Sequence, residues 1–151
     1  MKERLKIHGR VEIRNADTGE LLAANDNLVV GTGRQNILEV MAGLESVGVR
    51  YIALGTSSTP VTDNDIKLGA EACRSQMVEK TVSGDNLIMS AFFNGGGSGV
   101  NSNFKEAGIF GGSSATNTAN SGALICHTLV NFDNTSAQNL TATWTLTLAS
   151  N

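Results

Sequence analysis

The sequence predicts a mainly β protein, an antiparallel β-sandwich of the jelly-roll kind with one α-helix over about residues 33–44. Three observations predict it. The segment Gln138 to Ser150 alternates Leu140, Ala142, Trp144, Leu146 and Leu148 with Thr141, Thr143, Thr145 and Thr147. In a strand that pattern makes one apolar face and one hydroxyl face, so the strand needs a covering layer and partners at both edges. Composition agrees: charged residues are 17% of the chain, glycines number 17 and proline occurs once, a mixture that favours strands joined by small polar loops. The remaining apolar runs are short and separated by turn residues, giving about seven to nine strands.

Taken in order, residues 5–30 read as a hairpin about Asp17-Thr18-Gly19, with Asn25-Asp26-Asn27 marking a bulge in the return arm. Thr32 and Gln35 form a capping-box pattern, and Ile37, Val40, Met41 and Leu44 make one apolar stripe that should lie on a sheet or plug one end of it. Val49 to Gly55 is a strand, Thr56 to Asp65 a loop and Ile66 to Gly69 a short helical turn. Glu71 to Val82 and Asn86 to Phe93 form a second hairpin, with Phe92 and Phe93 both covered. Two small-residue loops, Asn94 to Asn103 and Gly111 to Gly122, flank the strand Phe104 to Phe110. Leu124 to Phe132 is apolar on both parities and reads as a central strand. A domain over residues 11–151 follows an N-terminal arm, Met1 to Arg10.

The chemistry-bearing residues are few. Net charge is −3 with a sequence pI of about 5.3, and no basic cluster suits phosphate, so no nucleic-acid partner is expected. The glycine pair of VVGTGRQN lacks the third glycine of a dinucleotide fingerprint, and the helix cap explains it. Cys73 and Cys126 match no metal or redox spacing; a zinc site would need both to converge with His8 and His127. Glu71, Glu79 and Glu106 are carboxylates of the type used in glycan hydrolysis, but nothing pairs them. Glu106 lies among apolar neighbours, so it is read as inward-facing and ion-paired, with Arg74 or Arg50 as partner. No apolar run is long enough to span a membrane as a helix, and no signal peptide is evident. No cofactor, metal or membrane partner is expected, and no enzymatic activity.

The segments NLVVGTGRQNI (Asn27 to Ile37), YIALGTSSTPVTDND (Tyr51 to Asp65), LGAEACR (Leu68 to Arg74) and FKEAGIFG (Phe104 to Gly111) precede the Thr-rich terminal strand. This series resembles a group of small tailed-bacteriophage virion proteins over residues 10–150. Ser57 stands where that pattern often has Gly, and Ile109 where it has Leu. The resemblance implies a β-rich virion component, made in the host cytoplasm, that oligomerises, often as a trimer. The short chain has no room for fibre repeats, which favours a capsid decoration (cement) protein bound to the major capsid protein over a tail or baseplate adhesion module for host glycan. Candidate partner contacts are Lys2, Arg4, Lys6 and Arg10 in the arm and Asn94, Asn101, Asn103 and Asn117 in the loops. Thr141, Thr143 and Thr145 are the candidate subunit contact. Thr32, Gln35, Arg74, Glu106 and Trp144 are read as structural.

Overall fold

A computed structural model describes residues 2–150. Its elements are β1 (Leu5–Asn15), β2 (Leu21–Val29), α1 (Gly31–Met41), β3 (Val49–Gly55), β4 (Glu71–Ser83), β5 (Asn86–Phe93), β6 (Asn103–Gly111), β7 (Ala123–Asp133) and β8 (Leu140–Ser150). The strands form a closed antiparallel barrel in the order β1-β2-β7-β6-β3-β4-β5-β8. The expected sandwich is therefore corrected. Both edges of β8 are taken: β1 pairs from Leu5↔Ser150 to Asn15↔Leu140, and β5 pairs from Asn86↔Thr147 to Phe93↔Leu140. Alternation in sequence reports that one face is buried, and a barrel and a sandwich meet that demand equally well. The same pairing takes up the expected arm: from Leu5 onward it is the first half of β1, while Met1 lies outside the described residues.

The barrel interior is filled by side chains, as its strand number dictates. Ile13, Ile52, Leu54, Met89, Phe104, Ile109, Leu140 and Trp144 are fully buried there. The Trp144 indole Nε1–H donates to Asn27 Oδ1 at 2.6 Å, and Gly9 makes room for that amide: a Cβ at Gly9 would lie 1.8 Å from Asn27 Oδ1. Both hairpins form where expected, with positive φ at Gly19 (78°) and Gly84 (58°).

Other expectations are corrected. The β1–β2 register runs unbroken through Asn25, Asp26 and Asn27 and slips instead between Ile13 and Arg14. Residues 66–69 form no helical turn. Phe93 is buried but Phe92 is 43% exposed. The helix cap is not a capping box: Val30 is the N-cap residue, with no side-chain cap bond. The Thr32 hydroxyl donates to the Leu124 carbonyl at 2.6 Å, and Gln35 Nε2 donates to Glu39 Oε1 at 2.9 Å. The helix lies on β7 through Gly33, whose Cβ position is 2.3 Å from the Ile125 carbonyl oxygen. That contact leaves the apolar stripe largely uncovered: Val40, Met41 and Leu44 are 39%, 79% and 82% exposed.

Candidate functional site

Outside the barrel, the wall made by β3, β6 and β7 carries a second apolar cluster that includes Tyr51, Leu68, Phe110, Ala115 and Leu124. Loops from both sides fold over it. Glu106 reaches this outer layer because the β6–β7 register slips between Phe104 and Glu106, sending Phe104 into the barrel and Glu106 out of it. Its partner is neither Arg74 nor Arg50, the two expected from the sequence, and Glu106 is buried as expected, 1% exposed, but in this outer layer rather than inside the barrel. Its Oε1 lies 2.9 Å from His127 Nε2 and accepts the Gly69 N–H at 2.8 Å. Its Oε2 accepts the N–H groups of Ala70 at 2.8 Å and Ser57 at 3.1 Å. His127 Nδ1 lies 2.8 Å from Asp65 Oδ2, and Asp65 in turn accepts from the N–H and hydroxyl of Thr62, each at 2.9 Å.

One buried carboxylate thus holds both ends of the loop between β3 and β4, and one imidazole ties its middle. Two carboxylates flank the ring, so both ring nitrogens serve as donors only in the charged imidazolium. Burial opposes that charge, but the hydrogen bonds and charges of Glu106 and Asp65 outweigh it and raise the His127 pKa. Burial likewise opposes ionisation of Glu106 and Asp65. For Glu106, bonds from His127 and the backbone prevail; for Asp65, bonds from Thr62 and His127 do. Both carboxyls are held below their ordinary range.

Segments 27–37, 51–65, 68–74 and 104–111 meet here. Gly55 admits the Glu106 carboxylate, since a Cβ there would lie 2.6 Å from Oε2, and Gly69 admits Ser57, since a Cβ there would lie 2.5 Å from Ser57 Oγ. Arg34, on α1, closes the far side through Asp63 at 2.6 Å.

Arg74 serves a second tie. It makes a two-pronged pair with Glu71 at 2.7 and 2.8 Å, with side-chain exposures of 3% and 1%. Its guanidinium stacks 4.4 Å from the Phe110 ring and 5.4 Å from that of Tyr51. It also donates to the Thr116 and Ser121 carbonyls, at 3.0 Å each, and Glu71 accepts the Asn120 N–H at 3.1 Å. The loop 112–122 is thereby drawn along the outer wall towards the loop 94–102. The two loops border one polar cleft of about 570 Å³, which brings Asn94 and Asn117 together beside Glu71 and Arg74. Asn101 lies on the same loop but does not line the cleft, and Asn103 begins β6.

The other predicted contacts lie elsewhere. Lys6 and Arg10 are on β1, and Arg10 pairs with Asp26 at 3.3 Å; Lys2 and Arg4 precede that strand, exposed. Thr141, Thr143 and Thr145 are half-buried on the outer face of β8, opposite Arg14, Glu12 and Arg10. Cys73 and Cys126 are free; burial, with the Glu71 charge behind it, pushes the Cys73 thiol up to about 12, and burial raises that of Cys126 as well. No metal-holding group of His, Cys, Asp and Glu occurs among the described residues.

Sequence reasoning missed His127 and Asp65. The signal available was a single imidazole inside the apolar run ALICHTLV, where a polar ring needs partners. It also missed Asn36, which is 5% exposed and lines an apolar mouth at the opposite end of the β4–β5 hairpin from the loop cleft. No protein-family model, no curated protein and no solved structure matches this chain.

Proposed function

We propose that this chain is a non-enzymatic structural protein of a tailed-bacteriophage virion, and that it decorates the capsid by binding where major-capsid subunits meet. The observation that carries this reading is the meeting of two long Gly/Ser/Asn loops on one wall of a rigid, edge-free barrel. Such loops present many hydroxyl and amide groups without strong charge, which suits a broad, shallow contact repeated at every lattice position. Glu71 and Glu106, the carboxylates with the best claim to acid–base chemistry, are both committed to buried pairs that hold loops in place. The motif words of the family resemblance lie largely in the same ties, so they speak for a shared scaffold, and the contact itself rests on the loops.

Heads assembled without this protein are the test. Purified protein added to such heads binds at a copy number set by the lattice, in the hundreds. Replacing Asn94 and Asn117 by bulky Arg lowers that occupancy at least tenfold while the fold stays intact. A virion copy number in the tens or fewer contradicts decoration.

The shape of the same cleft favours a second reading, a tail or baseplate module for host glycan. A pocket walled by Asn94, Asn117, Ser75 and Ser98 offers donors and acceptors to sugar hydroxyls. Binding on a glycan array, abolished by the same Asn94 and Asn117 changes, supports it over decoration.

A further inference from the structure

We infer that the apolar end of the barrel is the contact between two copies of this chain, related by a two-fold axis. Independently of the loop face, strands β1, β4, β5 and β8 run past the packed core, so their inward side chains line an open mouth with α1 along one side. The groove holds about 470 Å³. Its surroundings remain uncovered: Leu5 is 68% exposed, Val40 39%, Met41 79%, Leu44 82%, Val82 76% and Leu148 45%.

Size decides whether that surface is incidental. At roughly 100 Å² of apolar area for a fully exposed side chain of this kind, these six present about 400 Å². A standard interface buries about 800 Å² on each partner, of which about 450 Å² is apolar. The end face therefore supplies the apolar share of one side of a stable dimer, while scattered exposed residues need no such account.

Shape decides the partner. The groove is concave, and Met41 on its lining and Leu44 just past the end of α1 are the most exposed apolar side chains around it. A two-fold axis beside the groove seats these two side chains of each copy in the other copy's groove, the self-complementary arrangement that symmetric dimers require.

Sedimentation equilibrium on the full chain tests this. The expected result is a two-copy mass at micromolar concentration. Met41→Glu and Val82→Glu each weaken the dimer at least tenfold with the circular dichroism unchanged, while Ile66→Glu, on an exposed apolar residue elsewhere, leaves it intact. A single-copy mass up to a hundred micromolar overturns the inference. So does a three-copy mass, or a dimer that survives both Met41→Glu and Val82→Glu.

Discussion

At His127 both ring nitrogens face carboxylates, and the consequence is a dependence on pH. The raised His127 pKa contributes stability that is complete below the ordinary histidine value of 6.5 and is lost as pH climbs through the folded value. The lowered Glu106 and Asp65 values contribute stability that is complete above the ordinary 4.5 and 3.8 and is lost as pH falls through the folded values. The tie is therefore strongest between those ranges. His127→Gln should cost about 3 kcal/mol there, the low end for breaking a buried pair, because Glu106 keeps its backbone donors. Urea midpoints of the two proteins across a pH series check this; a difference that stays flat above pH 6.5 contradicts it. A second residue-scale test is Gly9→Ala, which must expel the Asn27 amide from Trp144 and should cost about 1–3 kcal/mol in urea unfolding. At this scale the sequence showed that Glu106 needs a partner and misnamed it. Arg74 is spent on Glu71, three residues before it, and only the strand register reveals that His127 stands across from Gly108, next to Glu106 on the same face.

The elements that followed a local rule were legible. Both hairpins turn at a glycine with positive φ, and β3 begins and ends where its apolar run does. The helix was found, but its cap and its burial were not. Its position depends on a backbone contact at Gly33, which no periodicity encodes. Gly33→Ala places a methyl against the Ile125 carbonyl, so α1 must move off β7, at a cost of about 1–3 kcal/mol. Hydrogen exchange of α1 amides should rise with it, while that of β8 stays unchanged. The loop 112–122 is held in the same non-local way. Arg74→Met keeps the stacking bulk over Phe110 but abandons the Glu71 carboxylate and the Thr116 and Ser121 carbonyls. Limited proteolysis should then cut within residues 112–122, where the wild type resists; equal resistance would mean the tie does not hold the loop.

For the whole molecule, closure is the property that the sequence least revealed. Trp144 and its strand-mates announced a buried face, but the pairing that closes the barrel joins the two ends of the chain, Leu5 with Ser150. An N-terminal stretch with loosely spaced charges reads as an arm, yet half of β1 lies in it. Deleting residues 1–4 should leave a soluble, cooperatively unfolding protein. Deleting residues 1–10 strips half of β1 from β8 and bares two strand edges, so the product should aggregate. Soluble, folded protein from the longer deletion would mean the barrel closes without that pairing. With its edges sealed, the barrel can contact partners only through side chains and loops, and the two candidate surfaces lie apart: the polar loop cleft on one side, the apolar mouth at the other end of the β4–β5 hairpin. The most direct test of the decoration reading is electron microscopy of the intact particle at a resolution that resolves strands. The account predicts barrel density at regular sites over the capsid lattice, with the loops 94–102 and 112–122 against the major capsid protein. Density confined to the tail, or barrels on the capsid with those loops facing solvent, would contradict it.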